Sequence, residues 1–280
     1  MDQPGEGGWP SVEVPRPLGP RPEIGHVLFD FDGTISLTRA GWPEVMVGMF
    51  LEALPRRDGE SAADVERLAW DEIMRLNGKP TIHQMVRLAE LVAGRGGVPG
   101  DPARSKAEFL RRLDGLVGAR VGGLTRGEIA AEALLVHGVR PLLEHLSGLW
   151  LTLHLASGTD EEAVRREADL LDVARFFGPR IHGARDDRDF SKRQVIDRIV
   201  AGQGNGRRLL SFGDGHVEVE ETVAVGGLAV AVASDEARNG SGRIDERKRR
   251  RLLEAGADAV IPDYRDAIPF VDFLLGRQTA

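Results

Sequence analysis

From residue 138 to residue 263, short apolar runs alternate with amphipathic helical segments, and that alternation leaves few folds open. VRPLLEHLSG reads as a helix, LWLTLHLAS as a strand, DEEAVRREADLLDVARFF as a helix and RIHGA as a short strand. The rhythm continues through the helix SKRQVIDRIVAG, the strand RRLLSFGD, a helix in EVEETVAVGG despite its valines, the strand GLAVAVAS, and the helix ERKRRRLLEAG before ADAVIPD. Strands separated by helices predict a mostly parallel sheet covered on both faces. An earlier run, HVLFDFDGTIS at residues 26–36, has Val27, Leu28, Phe29 and Phe31 suited to a buried strand of the same sheet.

Between these parts the pattern changes. GWPEVMVGMFLEAL sets Trp42, Val45, Met46, Met49 and Phe50 at helical spacing, with Pro43 in the first turn. SAADVERLAWDEIMRLN continues with Val65, Leu68, Ala69, Ile73 and Leu76, and PTIHQMVRLAELVAG and DPARSKAEFLRRLDGLVG follow, each closed by glycine. The expected organisation is therefore a core of residues 24–38 and 138–280, an all-helical insert of residues 39–137, and a proline- and glycine-rich arm, residues 1–23, loose ahead of the first strand.

The chain has no cysteine, which excludes disulfides, thiolate metal ligands and a cysteine nucleophile. Its net charge of −7 argues against general nucleic-acid binding, and the run ERKRRR at 246–251 reads as a solvated helix face. No apolar run is long enough to span a membrane, and the first residues lack the cationic and apolar blocks of a secretory leader, so the cytoplasm is the expected compartment. The histidines show no metal-ligand spacing.

Ligands in parallel sheets bind beyond the carboxyl ends of the strands. Four such places carry polar clusters: Asp30, Asp32 and Thr34; then Ser157, Gly158 and Thr159, at a junction of strand and helix where free amides hold an anion; then Lys192 opening a helix; then Asp214 and Glu218 after a glycine turn. Asp30 and Asp32 face the same way on an extended chain and repel by about 4 kcal/mol at ~4 Å in a medium of dielectric about 20. That repulsion, with partial burial, pushes one of the two carboxyls towards keeping its proton.

The ordered set DxDGT, ASGT, lysine and GDGxxE resembles the haloacid dehalogenase-like superfamily, most of whose members are phosphatases. The resemblance covers residues 24–37 and 138–265; the insert resembles the family's helical cap, and LNGKPTIHQM resembles a loop that such caps dip into the active site. It implies a Rossmann-like α/β core with an inserted helical cap, and Mg²⁺-dependent hydrolysis of a small phosphomonoester, with a sugar or polyol phosphate as first expectation. By the same resemblance Asp30 is the nucleophile and Asp32 the acid and then the base. Lys192 supplies positive charge, and Ser157 and the Gly158 amide bind phosphate. Asp30, the Asp32 carbonyl, Asp214 and Glu218 form an oxygen-rich Mg²⁺ site. Thr34 either orients Asp30 or bonds the turn, and Thr159 reads as a helix cap. Lys79, Thr81, His83 and Gln84 in the cap loop and Arg39 beside the first motif are candidate substrate contacts. The expected partner is a small phosphorylated metabolite, with neither nucleic acid nor membrane, for a monomer or homodimer. A phosphosugar mutase and a non-catalytic ligand-binding protein are the alternatives.

Overall fold

A computed structural model describes residues 8–77, 79–185, 190–202 and 205–277. Its centre is strand β1 (His26–Phe29), which pairs in parallel with β2 (Thr152–Asp160) on one side and β4 (Leu209–Gly213) on the other. With β3 (Ile181–Ala184), β5 (Leu228–Val232) and β6 (Ala259–Ile261) they form one six-stranded sheet of order β3-β2-β1-β4-β5-β6, every pairing parallel. The chain therefore runs outward in one direction from β1 and in the other from β4. The crevice beyond the ends of those two neighbours is the switch point where open α/β sheets take ligands.

Alternation along β1 fixes what each face buries. Phe29 stacks on Phe212 with ring centroids 5.0 Å apart, and Val27 joins the same core. Leu28 faces the other way, into a cluster with Val195, Ile196 and Ile199. Those three lie on helix α8 (Lys192–Ala201), so helices cover both faces, as the uninterrupted apolar strands require. The α/β class expected from the sequence is the fold found.

The inserted segment carries helices α1 (Trp42–Ala53), α2 (Ala62–Arg75), α3 (Thr81–Ala93) and α4 (Pro102–Thr125) around an apolar core of their own, including Met46, Phe50, Ala69, Ile73, Met85 and Phe109. Ser61 and Asp64 form a capping box on α2, and Asp101 accepts from the Arg104 amide at the start of α4. Glycine does not close α4 where the sequence suggests; the helix passes Gly118 and ends seven residues later, with Gly123 packed so tightly on Ile129 that a Cβ would meet it at 2.6 Å. Helices α5 (Val139–Gly148) and α6 (Glu161–Leu170), α7 (Ala174–Phe177), α9 (His216–Ala224), α10 (Glu246–Glu254) and α11 (Ala267–Leu274) complete the core.

The described part of the N-terminal arm is not loose. Trp9 packs on Phe270 and Phe273, with centroids 5.5 and 4.8 Å away, and Glu13 makes an antiparallel bridge to Val260 on the outer strand β6. The arm so covers an edge that would otherwise present unpaired backbone groups. Pro and Gly report poor propensity for regular structure here, not absence of contact.

Candidate active site

The turn after β1 brings two carboxylates to the crevice and gives them different company. Asp30, 7% exposed, lies 2.7 Å from the Lys192 ammonium, which also reaches Glu218 at 2.9 Å. Lys192 is buried at the first position of α8, where the Ser191 side chain caps the helix by accepting from the Gln194 amide. Glu218 lies at the start of α9 and accepts from the Gly215 amide with its other oxygen, at 2.6 Å. Asp214 follows β4, and its carboxylate meets the Lys248 ammonium at 2.9 Å. Lys248 in turn pairs with Glu236 at 2.6 Å. Gly33 in the DxDGT turn has φ +73°, and a Cβ there would lie 2.3 Å from the Asp214 carboxylate, so close packing as well as backbone conformation demands glycine.

Asp32 is held by another set. Its Oδ2 accepts from the Thr159 hydroxyl at 2.8 Å and the Ser157 hydroxyl at 3.2 Å, while Oδ1 lies 3.5 Å from Nε of Arg39. Strand β2 runs on through Asp160 with a register shift after Ala156, so Ser157 to Thr159 lie within an irregular strand end rather than at a helix start. This changes Thr159 from the expected helix cap to a partner of Asp32, because helix α6 begins only at Glu161. Thr34 takes neither expected role. Its hydroxyl is buried with no hydrogen-bond partner, while its carbonyl accepts from Tyr264 at 3.0 Å.

Burial pushes the Asp32 carboxyl up to about 6; the charge of Arg39 opposes this, Glu167 adds to it, and the Thr159 and Ser157 hydroxyls oppose it. Burial also raises Asp30 well above the usual carboxylate range, against Lys192 and with the help of Glu218 and Asp214. Of the two causes expected from sequence, burial is the larger and acts on both acids, so Asp30 is raised as well as Asp32. The like charges that add to it come from Glu218 and Asp214 at Asp30 and from Glu167 at Asp32, rather than from within the pair. Lys192 stands above its ordinary value despite burial, because Asp30 and Glu218 favour its charge.

One oxygen each of Asp30, Asp214 and Glu218 lie within 4.8 Å of one another, a spacing that fits a shared cation. The donors are all hard oxygens, as Mg²⁺ prefers. Four carboxylates (Asp30, Asp214, Glu218 and Glu236) face two ammonium groups, Lys192 and Lys248, an excess of acid that a divalent ion would offset. Because Glu218 already has both oxygens engaged, it fits better as a support beside the ion than as a ligand of equal standing with Asp30 and Asp214.

A pocket of about 110 Å³ gathers Asp30, Asp32, Ser157, Gly158 and Lys192 from the core with Arg39, Lys79, Thr81 and Gln84. Not all the cap candidates are free to read a substrate. Gln84 is buried and its amide donates to the Ile73 carbonyl at 3.2 Å, and Arg39 is committed to Glu167 at 2.5 Å. His83 is exposed and lies outside this pocket. Lys106 on α4, absent from the sequence-based set, lines the pocket and bridges cap to core by reaching Asp160 at 3.3 Å. A larger groove of about 1070 Å³ between α2 and α10 contains none of the catalytic candidates.

Two further residues escaped the sequence. Lys248 lies in ERKRRR, which reads as solvated, yet its side chain is 14% exposed. The available signal was its position four residues before the buried Leu252, on the same helix face. Glu167 is 1% exposed and sits between Val164 and Ala168 on the buried side of α6, an acid in an apolar stripe.

The fold is that of haloacid dehalogenase-like proteins. A hydrolase of that family from Streptococcus pneumoniae aligns over 89% of this chain and 99% of its own, with a TM-score of 0.54 and 17% identity. A predicted phosphatase from Clostridium acetobutylicum aligns over 89% of this chain and 97% of its own, with a TM-score of 0.56 and 15% identity. A β-phosphoglucomutase from Clostridium difficile aligns over 82% and 98% respectively, with a TM-score of 0.53 and 13% identity. No protein-family model matches the chain, and no curated protein matches it by sequence. At such identities the likeness concerns the fold. Among the described residues no helix is long and apolar enough to cross a membrane.

Proposed function

We propose that this chain is a Mg²⁺-dependent phosphatase that hydrolyses a small phosphomonoester, of the sugar or polyol phosphate kind, through an aspartyl-phosphate on Asp30. The observation that carries the proposal is the division of labour at the end of β1. Asp30 is set against an ammonium and two further carboxylates, while Asp32, in the same pocket, is set against two hydroxyls and the Arg39 guanidinium.

In the first step an Asp30 oxygen bonds to phosphorus as the bond from phosphorus to the ester oxygen breaks. The electron pair goes to the ester oxygen, which takes the proton of Asp32. In the second, water attacks phosphorus and gives a proton to the Asp32 carboxylate, and the bond from phosphorus to Asp30 breaks, restoring that carboxylate. Lys192 would neutralise Asp30 and the phosphoryl oxygens, and Ser157 and the Gly158 amide, which line the same pocket, are the groups assigned to phosphate. Mg²⁺, held by Asp30, Asp214 and the Asp32 carbonyl, would offset charge on the phosphoryl group. The pocket has an apolar side of Trp42, Met46, Phe109 and Leu113 and polar groups on Lys79, Asn77 and Lys106, which suits a small polar metabolite better than a protein or nucleic acid.

The test is a screen of phosphorylated metabolites with Mg²⁺ on wild type and Asp30→Asn. Wild type should release phosphate, and the variant and an EDTA-treated sample should not. Activity surviving either change overturns the mechanism. Product analysis on a hexose phosphate, with and without a bisphosphate activator, separates hydrolysis from the mutase reaction.

A further inference from the structure

Glu167 is a carboxylate deep in an apolar helix face, and such a group is tolerated only when its oxygens are satisfied. Both are. Oε2 accepts from the Thr38 hydroxyl at 2.7 Å, and Oε1 accepts from Nη2 of Arg39 at 2.5 Å. The Thr38 hydroxyl is itself within 2.7 Å of the Ser36 hydroxyl, and both residues are fully buried. From the cap, Arg120 on α4 donates to the carbonyls of Thr38 and Ala40, at 3.0 and 2.7 Å, which fixes the backbone on either side of Arg39. Arg39 therefore spans a gap. One end of its guanidinium is anchored on Glu167, and Nε faces Oδ1 of Asp32 at 3.5 Å.

That placement bears on what Arg39 does. A guanidinium that reads a substrate presents its terminal nitrogens to the pocket, whereas here one is spent on an internal acid and Nε is buried without a hydrogen-bond partner. Oδ1 of Asp32 is likewise buried and unpartnered, so these two atoms face each other through charge alone. Thr159 and Ser157 hold the opposite oxygen. The carboxyl is thereby gripped on both sides, and the grip on the Oδ1 side traces back to α6.

We propose that Glu167 is a positioning residue for Asp32, acting through Arg39. The proposal rests on the phosphatase reading above, in which Asp32 delivers a proton to the ester oxygen. Proton delivery needs the carboxyl within hydrogen-bond reach of that oxygen, and a misplacement of ~1 Å costs about 10²-fold in rate. Glu167 touches neither substrate nor the reacting atoms, so its contribution is confined to steps in which Asp32 moves a proton. Attack by Asp30 rests on Lys192 and the carboxylates beside it.

The experiment compares wild type, Glu167→Gln and Arg39→Lys on an alkyl phosphomonoester from the screen and on p-nitrophenyl phosphate. Glutamine keeps the shape of Glu167 and loses its charge; lysine keeps the charge of Arg39 and cannot span both carboxylates. Nitrophenolate leaves without a proton, so its release in the first turnover reports Asp30 attack alone. Each variant should slow kcat on the alkyl ester by about 10- to 100-fold with KM within about two-fold, and leave first-turnover nitrophenolate release within about three-fold. Later turnovers, which need Asp32 as base, should slow. If Glu167→Gln does not fold by circular dichroism, Arg39→Lys carries the same expectation, because it leaves the bond from Thr38 to Glu167 in place. Equal slowing of both substrates in the first turnover, or no slowing of either, overturns the proposal with the phosphatase reading intact. A wild-type protein that releases phosphate from nothing overturns the phosphatase reading itself.

Discussion

Asp30 and Asp32 stand two residues apart, yet the two halves of the site they head are built from opposite materials. The Asp30 half is ionic. Lys192 bridges Asp30 and Glu218 at 2.7 and 2.9 Å, and Lys248 bridges Asp214 and Glu236 at 2.9 and 2.6 Å. The Asp32 half has hydroxyls from Ser157 and Thr159 and one arginine, Arg39, which is hydrogen-bonded to Glu167 and faces Asp32 at 3.5 Å. Burial raises both acids, but in the first set an ammonium opposes the shift of Asp30 while Glu218 and Asp214 add to it. In the second, Arg39 and two hydroxyls oppose the shift of Asp32 and Glu167 adds to it. A shared strand end thus does not give two acids a shared environment. What separates them is which distant helix supplies the counter-group.

The sharpest way to break this contrast is Lys192→Met. In the ionic half it strands two buried carboxylates, and removing one partner of a buried pair costs about 3–5 kcal/mol. Urea unfolding at neutral pH should give a loss of that size, together with loss of phosphate release. A loss below about 1 kcal/mol would mean that the two acids are neutral in the folded protein and that the half is not ionic.

The second test addresses the proton-bearing half. Asp32 is raised in the fold to about 6 from 3.8. The native state therefore holds a proton that the unfolded chain has released between those values, and the stability from Asp32 is full below 3.8 and lost as pH rises through about 6. The size is about 3 kcal/mol by linkage. Measured without divalent ions, wild type should lose stability relative to Asp32→Asn between pH 4 and pH 7. A difference that stays flat with pH would place Asp32 with the ionic half after all.

How far the sequence reveals these halves depends on how local each signal is. Asp30, Asp32, Asp214 and Lys192 sit at strand ends or helix starts, and apolar periodicity locates those points from a few neighbouring residues. The counter-groups are not local. Glu167 serves Arg39 from 128 residues away, and Lys248 reaches Asp214 only because β5 and α10 fold back beside β4. A lysine within ERKRRR looks like its solvated neighbours until tertiary packing singles it out. The strand register at Ser157 is similarly hidden, since a polar ASGTD segment suits a strand end or a helix cap equally well by composition. The arm is the converse case: its glycines and prolines are plain in the sequence, while Trp9 finds its partners on α11, at the other end of the chain.

The smallest expected effect sharpens the contrast most narrowly. Thr159→Val removes one hydroxyl donor from Asp32 and keeps the shape of the side chain. The hydroxyl opposes the upward shift of Asp32, since its bond favours the ionised carboxylate. Without it the carboxyl should titrate higher still. The folded protein should then lose about 1 kcal/mol at pH 7, where the bond is made to an ionised acceptor, and much less at pH 4, where Asp32 is protonated in either protein. The ionic half should not register the change, because among the described residues no ion pair of Lys192, Lys248 or Asp214 passes through Thr159. First-turnover release of nitrophenolate, the step assigned to Asp30, should accordingly match wild type. If that step slowed in parallel with the loss of stability, the two carboxylates would be one coupled unit, and the division between an ionic half and a proton-bearing half would fall.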